Sequence, residues 1–211
     1  MSSLSNIKLH YFTVVKGSPV KGRGEHVRLL LEDAGVDFEY VRHTGEEWGA
    51  LKQKLLSEKI RAPTMPFITI DGKYYGKTFP TMRYLSKKLN KYEGSNDDET
   101  QLLDVYTDIV GDWTLKWSAS SFGAFTEEAS KNYKENIRPQ FHNTFNDILS
   151  DTKGPFLLGE NISYADFALY HILEDDIEGE VNVKTLPYLS AFFEAVQSRP
   201  NLKTYLASDR K

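Results

Sequence analysis

Lys77, Thr78 and the dipeptide Met65-Pro66 are the groups in this chain best suited to holding a small peptide by its backbone. All lie in one stretch, Ala62 to Leu85. Pro66 belongs at the first position of a strand over Phe67–Ile70, because a proline cannot donate to a β-ladder. Asp71-Gly72 predicts a tight hairpin turn, with Lys73-Tyr74-Tyr75 as the returning strand. Thr78 suits the N-cap of the helix that follows, and Pro80 suits that helix's first turn. A helix N-terminus, a hydroxyl and a lysine together suit a carboxylate. A cis Met65-Pro66 bond would turn the Met65 N–H and C=O outward for a ligand. Strand-turn-strand-helix is itself a common arrangement and does not by its shape define a site.

Other residue types could add chemistry. Trp48 and Lys52 stand at i and i+4, so on a helix they share one face. An indole N–H and an ammonium can both donate to a carboxylate; the plainer reading is a surface lysine beside a packing tryptophan. Tyr11 sits in an alternating strand, where a tyrosine is ordinary sheet packing or a hydroxyl donor at the strand's end. Asp104, Asp108 and Asp112 recur every four residues, and Asp104 and Asp108 read as a solvated helix face. No metal is expected: His10, His26, His43, His142 and His171 show no ligand spacing.

These stretches resemble the cytosolic glutathione transferases, in order and over nearly the whole chain. Met65-Pro66 matches the family's cis-proline before a strand, and Lys77-Thr78 stands where a Gln-Ser pair meets the γ-glutamyl end. Lys8-Leu9-His10-Tyr11-Phe12 and Gly22-Arg23-Gly24-Glu25 are similar to the start of tyrosine-type members, nearest the sigma class. Trp48-Gly49-Ala50-Leu51-Lys52 matches an element that meets the glycyl carboxylate, and Asn161 to Phe167 matches the capping motif of the family's helical domain. Ser163 and Asp166 there read as a capping-box-like pair, with Ile162 and Phe167 at the staple positions.

The resemblance implies that Tyr11 activates the thiol of glutathione, which serves as co-substrate with no other cofactor. A hydroxyl donated to the thiolate lowers the thiol's pKa. Arg23 would polarise that hydroxyl or add field at the sulfur, unless it is simply a solvated charge at the helix start. Tyr11 and Arg23 are about twice as far apart as in the sigma pattern, so residues 13–21 hold an insertion. Its Gly17-Ser18-Pro19 has turn chemistry. Ser18 is a rival activator, because other classes use a serine in such a loop. Asp112 falls where sigma-like dimers present an acid to glutathione in the partner subunit. An electrophile pocket between the domains would draw on Val15, Ser18, Trp113, Trp117, Ala168 and Ile172.

These groups need a scaffold, and the pattern supplies one. Strands over 7–13, 37–42 and the hairpin 67–75 alternate with helices over 23–34, 46–56 and 79–90, a thioredoxin-like α/β plan. Residues 91–98 are polar and aperiodic, and read as a linker. Beyond them everything is helical: an apolar stripe of Leu102, Leu103, Tyr106, Ile109, Val110, Trp113 and Trp117, then helices near 127–150, 163–175, 187–198 and 201–207. The expected domains are 1–90, thioredoxin-like, and 99–211, all-α.

Composition sets limits. The 211 residues are 27% charged with a net charge of −4, which lacks the basic stripe of a nucleic-acid binder. The chain has no cysteine, which excludes disulfides, thiolate metal sites and a cysteine nucleophile. No segment reads as a membrane span or signal peptide. The expectation is a cytoplasmic homodimer that conjugates glutathione to small hydrophobic electrophiles. The alternatives are a non-catalytic structural or regulatory relative, and a glutathione-dependent isomerase or peroxidase.

Overall fold

The computed structural model describes residues 4–13, 21–122, 126–177, 185–208 and 210. The chain forms two compact units: Met1–Asn90 together with Pro200–Lys211, and Lys91–Arg199.

The first unit is built on a four-stranded sheet in the order β2-β1-β3-β4. Its strands are β1 (Ile7–Phe12), β2 (Phe38–His43), β3 (Phe67–Ile70) and β4 (Lys73–Gly76). β1 runs parallel to β2 and antiparallel to β3, with His10 opposite Phe67 and Leu9 opposite Ile68. Alternation sorts the side chains of β1: Ile7, Leu9 and Tyr11 are buried on one face, while Lys8, His10 and Phe12 point to the other. Helix α1 (Gly24–Ala34) covers the first face, burying Val27, Leu29, Leu30 and Leu31. Helix α3 (Thr78–Leu89) packs beside it through Met82 and Leu85. The β3–β4 turn is the expected Asp71-Gly72, with φ of 50° and 80°. Positive φ at both central residues is the type I′ requirement that glycine meets without strain.

Helix α2 (Gly45–Ser57) opens on a complete capping box, in which Thr44 and Glu47 each accept from the other's backbone N–H. On the sheet face that carries Phe12, four rings cross all four strands in a row. His43 Nε2 lies 3.0 Å from His10 Nδ1, His10 stacks on Phe67 at 4.3 Å, and Phe67 stacks on Tyr74 at 4.8 Å. Burial depresses both imidazoles, His10 to about 4.

The second unit is helical: α4 (Asp97–Phe122), α5 (Glu127–Asn132), α6 (Arg138–Ser150), α7 (Tyr164–Ile177) and α8 (Pro187–Gln197). The single helix expected over 127–150 is interrupted by a π-turn at Tyr133–Ile137. Pro139 has no N–H for the Glu135 carbonyl, and the Arg138 N–H reaches back five residues to the Tyr133 carbonyl. The α4 stripe is also split. Leu103, Val110 and Trp113 are buried, whereas Leu102 is 38% exposed.

Two buried carboxylates organise this interior. Asp166 accepts the Ser163 N–H (2.7 Å), the Ser163 hydroxyl (2.6 Å) and the Leu157 N–H (2.8 Å). The expected capping box is therefore half-formed, because the Ser163 hydroxyl donates to the acid instead of accepting from the helix. Burial raises the Asp166 carboxyl to about 6. Asp176 accepts the Trp113 indole N–H (2.8 Å) and the Tyr133 hydroxyl (2.5 Å).

The last helix, α9 (Pro200–Leu206), departs from the expected domain 99–211. It packs on α1 in the first unit, where the Asn201 amide donates to the Asp33 carbonyl (2.9 Å) and the Tyr205 hydroxyl to Glu25 (2.6 Å).

His142, in a T-shaped contact with Trp113 at 5.2 Å, has a buried Nε2 without a hydrogen-bond partner. Burial first, and then Arg138, lower its pKa from 6.5 to about 4. Between these values the unfolded chain binds a proton that the fold refuses, so stability falls as pH drops from 6.5 toward 4. His142→Gln should flatten that decline. Urea midpoints at pH 7 and pH 5 check it: an equal drop for both proteins would contradict this role.

Candidate functional site

Tyr11 ends the buried face of β1 and is 5% exposed. Its phenol oxygen accepts the backbone N–H of Arg23 at 3.0 Å. Arg23 is the N-cap of α1, so the donor is one of the helix-start amides that the helix itself leaves unused. The group of Arg23 that meets the phenol is thus its main-chain N–H, and Arg23 is itself exposed. An N–H donated to the phenol oxygen stabilises negative charge there and strengthens the hydroxyl as a donor.

That contact depends on two glycines that sequence reasoning passed over. A Cβ on Gly22 would stand 2.5 Å from the Tyr11 hydroxyl, and one on Gly24 would stand 2.6 Å from Tyr11 Cγ and 2.7 Å from the Tyr40 hydroxyl. Gly22 also has φ of 56°. The signal was the Gly-x-Gly pattern around Arg23, which reads as close backbone approach.

A second set of groups lies along β3, α2 and the start of α3. The Met65-Pro66 peptide is cis, as the resemblance implies. Just before it, the Tyr74 hydroxyl accepts the Thr64 N–H (3.1 Å) and donates to the Thr64 carbonyl (3.4 Å), which fixes the turn. Trp48 on α2 meets Phe12 and Phe67 edge-on or tilted, at 6.3 and 6.4 Å. Lys52 lies one turn along the same helix and is exposed.

Thr78 is not the N-cap expected for α3. It is the first helical residue and is buried, and the cap is Lys77, which makes no side-chain capping bond. Lys77 takes φ of 69° and ψ of 135°. Such a conformation costs a non-glycine residue about 1–3 kcal/mol and tends to persist where a site needs it.

The remaining candidates fall in other places. Asp112 is exposed on α4. Trp113, Ala168 and Ile172 are enclosed in the helical unit at 0%, 0% and 2% exposure, which makes them core side chains of that unit; Trp117 is half-buried. Val15 and Ser18 lie outside the described residues, as does most of the 13–21 insertion. No group of three or more metal-ligating side chains occurs among the described residues. No helix among them is long and apolar enough to cross a membrane.

Known proteins are similar to this chain in sequence and fold. The profile of the glutathione S-transferase C-terminal domain matches residues 111–209. The chain is 30% identical over 207 residues to glutathione S-transferase P 10 of Caenorhabditis elegans, covering 94% of this chain and 90% of that one. It is also 30% identical to the bovine (Bos taurus) glutathione S-transferase P, over 90% of this chain and 89% of that one. The solved structure of the Onchocerca volvulus pi-class enzyme superposes with a TM-score of 0.81 at 25% identity, covering 95% of this chain and 92% of that one. The structure of prostaglandin synthase D of Nilaparvata lugens gives 0.78 at 25%, covering 97% and 98%. The chain belongs to the glutathione S-transferase family.

Gly24→Ala should show what the Tyr11 contact requires. A helical Gly→Ala change is ordinarily favourable by about 1 kcal/mol. Here the new methyl displaces Tyr11 or Tyr40, and overpacking of this kind costs about 1–3 kcal/mol. Thermal unfolding should therefore shift downward; a gain in stability would show that the turn has room to spare.

Proposed function

We propose that this chain uses the Tyr11 hydroxyl to activate the thiol of glutathione and joins the thiolate to small hydrophobic electrophiles. The observation that carries the reading is the 3.0 Å hydrogen bond from the Arg23 N–H to the Tyr11 oxygen, in a chain of this family. A phenol already accepting one N–H is a better donor to a sulfur anion. The thiol loses its proton to solvent, and the sulfur lone pair attacks an electrophilic carbon by addition or by displacing a leaving group. Tyr11 is retained over Ser18, and with it the tyrosine-type, sigma-like assignment, although the relatives named above carry the P designation.

The rest of the peptide has complementary groups. The cis Met65-Pro66 turn offers main-chain bonds, the start of α3 at Lys77-Thr78 suits the γ-glutamyl carboxylate, and Trp48 with Lys52 suits the glycyl carboxylate. The reading keeps glutathione and an electrophile as the only partners besides a second copy of this chain, in the cytoplasm. A glutathione-dependent isomerase is the second reading, favoured by the likeness to the prostaglandin synthase D structure.

Pairing of two copies is supported by α4. Leu102 and Val105, 38% and 37% exposed, share a helical face with Ile109 and Asp112. An acid on that face is positioned to meet an ammonium from a neighbouring copy. Asp112→Asn should weaken glutathione binding in a dimer. A monomer in sedimentation at micromolar concentration that binds glutathione fully would overturn this assignment.

Tyr11→Phe keeps the ring and removes the hydroxyl. The thiol of bound glutathione should then titrate at higher pH, with catalysis near neutrality reduced and glutathione affinity little changed. Thiolate absorbance of the complex against pH is the measurement. If Ser18→Ala moves that titration and Tyr11→Phe does not, the serine is the activator. If wild type fails to bind glutathione in calorimetry, the whole reading falls.

A further inference from the structure

Glu25 is an anomaly in the first turn of α1: a carboxylate 1% exposed, one residue beyond the glycine that touches Tyr11. Its partners come from the far end of the chain. The Tyr205 hydroxyl donates to Glu25 Oε1 at 2.6 Å, and Arg210 Nη1 stands 3.3 Å from the same oxygen. Arg28, one turn further along α1, lies between the rings of Tyr40 and Tyr205, with its guanidinium carbon 4.9 and 4.7 Å from their centroids. It also donates to the Arg210 carbonyl at 3.3 Å and pairs with Glu32 at 3.3 Å. The Arg42 guanidinium donates to the Tyr40 hydroxyl at 2.7 Å.

A buried carboxylate needs partners, and removing one leaves a charge that repels any neighbouring anion. The turn that carries Glu25 also supplies the donor to the Tyr11 oxygen: the Glu25 N–H closes on the Gly22 carbonyl at 3.0 Å, which frames the Arg23 amide. Whatever holds Glu25 therefore acts on Tyr11 through the main chain, by fixing the turn that carries the Arg23 N–H.

We propose that residues 200–210 are a positioning element for Tyr11: Tyr205 and Arg210 hold the Glu25 carboxylate, and Glu25 holds the turn whose Arg23 N–H reaches the Tyr11 oxygen. Its bearing on catalysis rests on the thiol-activation reading above, but the coupling itself is a property of the ligand-free protein. Burial first, and then Glu25, keep the Tyr205 phenol protonated far above neutrality, so it is a constant donor.

The test is the pH titration of the Tyr11 ring in ligand-free protein, followed by NMR with 13Cζ-labelled tyrosine and assigned with Tyr11→Phe. Tyr205→Phe and Arg210→Gln should each move the Tyr11 titration upward by about half a unit or more, since each loosens the turn that presents the Arg23 N–H. Arg210→Lys, which keeps the charge, should return most of the shift. Asn201→Ala cuts the contact at the opposite end of α1 and should lower stability without moving Tyr11. The proposal is overturned if Tyr205→Phe and Arg210→Gln leave the titration at its wild-type position, or if Asn201→Ala moves it equally. Arg210→Gln, at the rim of the unit, carries the test should Tyr205→Phe fail to fold. Titration of the thiol in the glutathione complex separates the two ideas: a shift at Tyr11 without a shift at the thiol keeps the coupling and discards thiol activation.

Discussion

One main-chain hydrogen bond, from the Arg23 N–H to the Tyr11 oxygen, sets the terms for the first unit. It ties the end of the central strand to the start of the helix that covers it. A bond this close to the backbone leaves no room for side chains on the turn, which is why Gly22 and Gly24 bracket Arg23. It also fixes how far along the sheet α1 begins. α3 and α9 then pack on an α1 whose position is already set.

Much of this was legible because local rules and the global fold agree. Asp71-Gly72 could only be a tight turn, Pro66 could only open a strand, and the alternation of Ile7, Leu9 and Tyr11 assigned a face before any neighbour was known. The capping role of Ser163 and Asp166 was visible too, though the direction of the hydroxyl was not, because hydroxyl rotors obey their surroundings.

What escaped was set by tertiary context. No propensity predicts that Lys77 adopts a positive φ and leaves Thr78 inside the helix. The apolar stripe on α4 grouped Leu102 with Leu103, although adjacent residues diverge by about 100° around a helix, and only Leu103 is buried. His10 and His43 looked unrelated at a distance of 33 residues, yet parallel pairing of β1 with β2 brings their nitrogens to 3.0 Å. Trp113 read as a wall of a pocket, and its indole N–H is committed instead to Asp176. The assignment of 201–207 to the helical part followed from amphipathic spacing, which records that a face is buried and not against what.

The return of α9 to the first unit has a consequence for how the protein is made. A ribosome that has released residues 1–90 has delivered the entire sheet and the site residues upon it, but not Tyr205 or Arg210. Until they arrive, Glu25 is a carboxylate without its partners on the flank of α1. The half of the molecule that begins synthesis first is thus the half that is finished last. A nascent or C-terminally clipped chain would carry the sheet and α1 without the contacts that Tyr205 and Arg210 make to Glu25.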